Sequence, residues 1–373
     1  MDPVALTAEL RRAAESVGFT LTGACPAVTP PGLSRFEAWL EAGYAGDMTY
    51  LAERRSAYKH PCHVLPGARS LLMLGMTYPT APRPSEEAGR GRIARYAAAR
   101  VDYHEDIRER LKRLRRLALQ LQPGVRVRGV VDTAPLLERE FAQLAGLGWI
   151  GKNTMLLNRR YGSWFFVAAL LLDCELDYDA PVRSGSCGRC TACLEACPTA
   201  AFAGPHVLDA ARCISYLTIE LRGPIPRHLR PQIGDRVFGC DVCQEVCPWN
   251  RKVATTFCHT APCSAHVRLS LPLHELFELT DQTFRARFRR TVFWRAGRAG
   301  LLRNAAIVLG NQASSDSYDT LALALRDPEP LIRGAAAWAL GRLGTAAAIE
   351  TLKKRRRIDP DSTVRDEIEN ALP

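Results

Sequence analysis

The residues with the clearest chemistry are cysteines in two runs. The first reads Cys187-Gly-Arg-Cys190-Thr-Ala-Cys193-Leu-Glu-Ala-Cys197-Pro198, the second Cys240-Asp-Val-Cys243-Gln-Glu-Val-Cys247-Pro248. The first is the bacterial ferredoxin run C-x2-C-x2-C-x3-C-P, in which the fourth cysteine serves the other cluster. Counting on that rule gives one 4Fe-4S cluster Cys187, Cys190, Cys193 and the crossing Cys247. The other receives Cys240, Cys243 and the crossing Cys197, and is one ligand short because Val237 stands where the run would have a cysteine. Cys213, between the runs, is the natural substitute; Cys258 and Cys263 are its rivals. Zinc and disulfides are the alternatives, but zinc favours C-x2-C pairs that close separately. It does not require three-plus-one runs that each end in proline. The chain has 13 cysteines, an odd number. Unpaired thiols beside oxygen-sensitive clusters point to a reducing cytosol.

Clusters move electrons and seldom make or break substrate bonds, so the catalytic centre is expected in the part of the chain that precedes them. No G-x-G-x-x-G follows a strand there, and neither H-E-x-x-H nor a nucleophile elbow occurs. The best single candidate is Asp132, at the end of an alternating stretch and before Thr133-Ala134-Pro135. A carboxyl group there could deliver a proton if burial raises its pKa. The same position also suits an N-cap before a proline-started helix. Tyr103 and His104 are open in the same way, between an active-site role and capping the next helix.

The elements that must position these residues follow from periodicity. Residues 5–17 predict a packing helix that ends near Gly18. Leu71 to Met76 predicts a buried strand, and residues 80–92, rich in Pro, Gly and charge, a loop. Asp102 opens a helix to Leu121 with Leu111, Leu114 and Leu117 or Ala118 as its apolar stripe. Val125 to Val131 alternates as a strand does. A helix is expected over Pro135 to Leu147, then a hairpin of Asn153–Asn158 with Ser163–Leu172. This order implies an α+β fold with helices against a central sheet. From about residue 297 the chain turns Ala- and Leu-rich. Asp327-Pro328, Arg333 and Leu340 recur as Asp359-Pro360, Arg365 and Leu372, the mark of stacked helical repeats that must dock on the main body.

The 373 residues suggest two or three domains. No run is long enough to span a bilayer. Arg11-Arg12 is followed by no apolar core, which argues against an export signal. The formal charge is +11, with basic clumps at Arg108 to Arg116, Arg285 to Arg303 and Lys353 to Arg357. A polyanionic partner would explain them, and so would ordinary solvated helix faces.

One resemblance runs through these features. Val131-Asp132-Thr133-Ala134-Pro135, continuing through Glu138-Arg139 to Gly148-Trp149-Ile150-Gly151-Lys152-Asn153, resembles the hallmark of the epoxyqueuosine reductases. So do Arg95-Tyr96 with Asp102-Tyr103-His104, Cys213-Ile-Ser215-Tyr216-Leu217-Thr218, and Asp241-Val-Cys243-Gln244 running to Cys247-Pro248-Trp249-Asn250. The resemblance implies a cobalamin-binding α/β sheet domain of nitroreductase or reductive-dehalogenase type (1–178). A ferredoxin-like domain with two 4Fe-4S clusters (179–258), a connecting region (259–296) and HEAT-like repeats (297–373) would follow. It implies reduction of the epoxide of epoxyqueuosine, at the wobble position of tRNA, to the alkene of queuosine. It makes Asp132 catalytic, places Cys213 on the second cluster, and puts cobalamin contacts near Arg55, Asp132, Asn153, Ser163 and Ser215. The partners expected are tRNA carrying epoxyqueuosine and an external low-potential electron donor, for a cytoplasmic monomer. A dehalogenase-like cobalamin enzyme, a plain electron-transfer protein and an RNA-binding module with structural clusters are the rival readings.

Overall fold

A computed structural model describes residues 1–78, 87–182, 185–251, 253 and 269–373. The N-terminal half contains α1 (Pro3–Ser16), β1 (Leu21–Pro26), β2 (Ser70–Thr77), β3 (Arg90–Ile93), α2 (Tyr103–Leu121), β4 (Val127–Val130), α3 (Glu138–Leu144) and β5 (Phe165–Leu172). Four strands make one sheet in the order β1-β2-β5-β4, each pair antiparallel. Side chains alternate between faces along a strand. Leu72, Leu74 and Leu170 meet Leu6 and Leu10 of α1 and Ile107, Leu111 and Leu114 of α2. Leu71, Met73 and Leu171 point the other way, onto Phe141 and Ala142 of α3. Cover on both sides explains why β2 has no polar alternation. Gly129 lets α2 close on β4: a Cβ there would stand 2.9 Å from that of Leu111.

Helix α2 starts where expected, because the Asp102 carboxylate accepts the His104 N–H at 2.9 Å and Glu105 and Asp106 occupy the first turn. Both features satisfy the positive helix N-terminus. Three expectations change. Helix α3 is shorter than Pro135–Leu147, and its N-cap is Leu137 with no side-chain cap, so Asp132 caps nothing. The expected hairpin does not form: Leu156–Leu157 pairs with Trp149–Ile150, and β5 joins the main sheet. Only the turn survives, as an Asn158–Gly162 bridge. Asn158 causes this. Its amide donates to the Leu147 carbonyl at 2.7 Å while its side-chain oxygen accepts the Arg160 and Tyr161 N–H groups. Finally, the stretch expected as a loop, 80–92, runs into β3; its residues 80–86 lie outside the described set.

A second, three-stranded sheet has the order β6-β3-β7, with β6 (Arg236–Phe238) and β7 (Ser270–Pro272) flanking β3. It draws on the first, second and third of the expected segments, so the fold crosses the lines drawn between them. Beside it lies α4 (Ile214–Ile219). The C-terminal helices include α5 (Asp281–Phe288), α6 (Gly297–Gln312), α7 (Pro330–Leu343), α8 (Ala346–Ile358) and α9 (Ser362–Glu369), with a short helix at Tyr318–Ala324 between α6 and α7. One apolar core runs from Ile93 through Val237 and Leu273 to Leu340 and Ile368. The sequence repeat is a stitch. Arg333 donates to the carbonyls of Asp327 and Pro328 and to the Asp359 carboxylate, and Arg365 donates to the Asp359 carbonyl at 2.7 Å.

Candidate active site

The chain leaves β4 and turns sharply at Asp132, which has φ 50°. Among residues with side chains, aspartate is one of the few that tolerate this left-handed conformation. The turn brings its carboxylate to the first turn of α2. There Tyr103 Oη donates to Asp132 Oδ2, and His104 Nε2 lies 3.3 Å from the same oxygen. His104 Nδ1 is 2.7 Å from Asp102 Oδ1, so the imidazole is held between two carboxylates. The Tyr103 ring is clamped between Phe166 (4.0 Å, 9°) and His104 (4.1 Å, 25°).

The electrostatics follow from these contacts. Burial works against the His104 cation, but hydrogen bonds to Asp102 and Asp132 raise its pKa to about 9. Burial likewise works against the Asp132 anion, and the His104 and Tyr103 hydrogen bonds win, holding it below the usual carboxylate range. The pair is therefore an imidazolium and a carboxylate sharing one acidic proton. Asp132 is crowded by protein atoms, yet half of its side-chain surface is accessible. Its carboxylate is therefore within reach of a reactant from solvent. Glu138 is near it. Burial first, then the charge of Asp132, pushes the Glu138 carboxyl up to about 8, and its Oε1 is buried without a hydrogen-bond partner.

The cysteines form two adjoining groups. Cys187, Cys190, Cys193 and Cys247 wall one cavity with Asn153, Leu157, Pro248 and Trp249. The Lys152 N–H points at Cys187 Sγ, 3.4 Å away, and its ammonium donates to the Gly188 and Cys190 carbonyls. Such N–H···S contacts tune the potential of a cluster. In the second group Cys243 feels Cys240, Cys213 and Cys197, and also Cys193 of the first group. It stands where the two meet. Burial raises the thiols of Cys213, Cys240 and Cys243, Cys240 to about 12; thiolates at these positions need a compensating positive charge, which iron would supply. Among the described residues, no three His, Cys, Asp or Glu side chains draw in closely enough for a single metal ion. Cysteines around a cavity suit a cluster, in which each binds a different iron, better than one zinc. The described cysteines are all free thiols; Cys258 and Cys263 lie outside the described residues.

The other expected contacts sit at different depths. Asn153 is 3 % exposed and donates to the Cys243 carbonyl at 3.3 Å. Ser163 is 1 % exposed, and its Oγ accepts from Gln244 and Asn250 at 3.0 and 2.9 Å. Both tie the sheet domain to the cysteine loop. Gly162 makes room for that tie, since a Cβ there would lie 2.0 Å from Asn250 Oδ1. Ser215 directs its hydroxyl and N–H to Cys213. Arg55 is paired with Glu37 at 3.2 Å and Glu41 at 2.7 Å. Spacing gave no reason to single out Glu138, Lys152, Gln244 or Asn250. Their only signal was membership of the long motifs around Asp132 and Cys243.

Comparison with known proteins agrees with this anatomy. Residues 59–133 match the model of the epoxyqueuosine reductase QueG family (DUF1730), residues 186–250 that of the 4Fe-4S double cluster binding domain, and residues 296–373 that of HEAT repeats. An epoxyqueuosine reductase of Pseudomonas aeruginosa is 42 % identical over 351 residues, 92 % of this chain and 96 % of that protein. One from Escherichia coli is 38 % identical, covering 87 % of this chain and 86 % of that protein. Among solved structures, an epoxyqueuosine reductase with an epoxyqueuosine-modified tRNA-Tyr stem loop superposes with TM-score 0.90 at 31 % identity, covering 99 % of this chain and 98 % of that one. The Bacillus subtilis enzyme superposes with TM-score 0.89 at 32 % identity, covering 99 % of each chain. With this coverage and identity, the chain belongs to the epoxyqueuosine reductases.

Proposed function

We propose that this chain reduces the epoxide of epoxyqueuosine in tRNA to the alkene of queuosine, with cobalamin beside Asp132 and two 4Fe-4S clusters feeding it electrons. The observation that carries this reading is the Tyr103–Asp132–His104–Asp102 cluster, with half of the Asp132 side-chain surface open to a reactant. Asn153 and Ser163 tie the sheet domain that carries it to the cysteine loop. In this reading Cys187, Cys190, Cys193 and Cys247 ligate one cluster, and Cys197, Cys213, Cys240 and Cys243 the other. Segments 1–178, 179–258, 259–296 and 297–373 are the units of labour, although strands cross between them. The residues present suit cobalamin: a half-open acid on Asp132, a buried carboxyl oxygen on Glu138 without a hydrogen-bond partner, and cysteine groups that would hold the iron. Arg55 and Ser215 would touch it from the rim, and Asn153 and Ser163 would back its wall. No helix of the described residues is long and apolar enough to cross a membrane. That accords with a cytoplasmic monomer served by an external low-potential donor.

Removing the epoxide oxygen as water takes two electrons and two protons, and breaks both C–O bonds. Bound cobalamin would supply the low-potential, two-electron chemistry at carbon. The protein supplies the first proton. At neutral pH it resides on His104, shared with Asp132, and Asp132 delivers it to the oxygen as negative charge develops there; the second comes from solvent, which reaches half of the Asp132 side-chain surface. Tyr103 fixes the accepting oxygen, and Asp102 keeps the imidazole oriented.

The test is anaerobic reconstitution with iron, sulfide and cobalamin, a low-potential reductant and epoxyqueuosine-containing tRNA, then mass analysis of the nucleoside. Loss of one oxygen, dependent on cobalamin, is expected; an unchanged nucleoside from fully loaded protein refutes the reading. Asp132→Asn keeps the clusters and cobalamin and lowers turnover by about 10²- to 10⁴-fold, the usual worth of a positioned acid. Normal turnover in that variant removes the proton-delivery role.

A further inference from the structure

The two cysteine groups share a spacing but not a depth. Both runs open on C-x2-C. In the first, the residues between the cysteines, Gly188 and Arg189, are exposed, and so are Ser186 and Thr191 on either side. In the second, Asp241 takes the first of those places at 2 % exposure, and Gln244, after the second cysteine, is buried. The Asp241 carboxylate accepts the Arg95 N–H at 2.9 Å. The next residue, Tyr96, meets the Tyr103 ring edge-on at 6.0 Å, and Tyr103 holds Asp132. The Cys240 group therefore faces the acid, and the Cys187 group faces solvent. Cys243 of the inner group is close enough to Cys193 of the outer one to feel its charge.

The outer group is set among cations. Arg189 lies inside its C-x2-C loop, exposed and without a carboxylate partner among the described residues. The same holds for Arg251, whose own N–H donates to the Cys247 carbonyl at 3.3 Å. The Lys152 ammonium is tied to the Gly188 and Cys190 carbonyls. Against these stands Glu195, which is exposed and accepts the Thr191 hydroxyl at 2.5 Å; Glu245 is already paired with Arg95. Pro248 is exposed beside them, and the half-buried Trp249 is braced edge-on by Trp149 at 4.9 Å and 76°. Surface cations are often no more than a solvated face. Cations around a small apolar patch, over the outer of two redox groups, are what a transient electron-transfer contact uses. Such contacts are small, and charge steers the encounter.

We propose that this face is the docking surface for an acidic one-electron carrier protein, with Arg189 and Arg251 as its charge partners and the Cys187 group as the point of entry. The proposal deepens the reading of the cysteine groups as clusters and rests on it. Each encounter oxidises one carrier and reduces one cluster by one electron. Two encounters supply the two electrons of one epoxide reduction. The electrons pass inward where Cys193 and Cys243 approach each other, to the group beside Arg95 and Tyr96.

The experiment mixes the cluster-loaded full chain anaerobically, by stopped flow, with excess reduced plant-type ferredoxin, an acidic carrier with a potential of about −400 mV. The readout is the second-order rate of cluster reduction. Raising the ionic strength from about 0.01 to about 1 M shortens the Debye length from about 30 to about 3 Å. It is expected to slow the reaction by about 10- to 10³-fold, the range of electrostatic steering. Arg189→Glu combined with Arg251→Glu lowers the low-salt rate by at least about tenfold and flattens its salt dependence. Arg189→Lys combined with Arg251→Lys keeps both. Reduced methyl viologen, too small to need docking, reduces wild type and variants alike, which shows that their clusters are intact. A wild-type rate that ignores salt and is matched by the charge-reversal variant overturns the proposal. So does protein that methyl viologen reduces and ferredoxin does not. If charge reversal weakens binding of a hairpin RNA while the ferredoxin rate holds, the face belongs to RNA instead. A chain that takes up no clusters, seen in its visible absorbance, sinks the underlying reading and the proposal with it.

Discussion

Asp132 and Glu138 lie close enough to feel each other's charge, and their surroundings push them in opposite directions. His104 and Tyr103 hold Asp132 ionised, while burial and the charge of Asp132 hold Glu138 neutral up to about 8. A carboxyl whose folded pKa is raised stabilises the fold fully below its unfolded pKa. It gives that stability up as pH rises through the folded value. Glu138 should therefore cost the protein stability between about pH 4.5, the ordinary value, and about pH 8. Glu138→Gln is neutral throughout. Its Tm is expected to lie above the wild-type Tm by a margin that grows from pH 6 to pH 9, measured by calorimetry. A margin independent of pH would show that Glu138 is ionised in the folded state. His104, with its pKa raised to about 9, titrates at the top of the same window in both proteins, so it cancels in the difference. The sequence marked Asp132 as a strand-end carboxylate but could not decide between acid and cap. That decision depended on φ at one residue and on the late start of α3, neither of which has a local signature.

Elements were legible where one stretch contains its own reason. An apolar run such as β2 announces burial, and Asp102 announces a helix. The Asp-Pro and Arg positions announce repeats because each arginine serves a carbonyl six residues back. Elements whose reason lies elsewhere were not legible. β3 is a strand because residues 236–238 and 270–272 flank it, and the expected hairpin fails because Asn158 reaches back to Leu147. Helix α6 shows the same dependence in energetic form. Arg303 is 1 % exposed and donates to the carbonyls of Leu217, Leu221 and Gly223, while Asn304 donates to those of Thr218 and Val237. Among the described residues no carboxylate pairs with Arg303; burial first, then Arg222 and Arg230, lowers its pKa to about 9. Its role is to satisfy the carbonyls at the end of α4, the helix that Cys213 caps. Arg303→Met leaves those carbonyls buried and unpaired, and is expected to cost about 3–5 kcal/mol, read by urea unfolding of loaded protein. A loss under 1 kcal/mol would mean that water replaces the guanidinium.

Across the whole molecule, the repeats are not an appendage. The core that begins at Ile93 and passes under the cysteine loop at Val237 and Phe238 continues into Leu301, Leu302 and Ile307 of α6 and Leu340 of α7. The ion pairs Arg230–Glu367 and Arg227–Glu367, each 2.8 Å, tie the segment before β6 to α9. Burial holds Arg230 at 3 % exposure, so this contact is screened little by salt. Interfaces between independent domains are smaller and more polar; this one has the composition of an interior. Unfolding of the cluster module and of the repeats should then be one event. In an anaerobic urea titration, visible cluster absorbance and far-ultraviolet helicity are expected to fall with coincident midpoints and equal slopes. If helicity fell first while the cluster spectrum persisted, the repeats would be a separately folding domain and the continuous core would carry no cooperativity. Coincidence would show that the repeats and the cysteine loop are held by the one core they share.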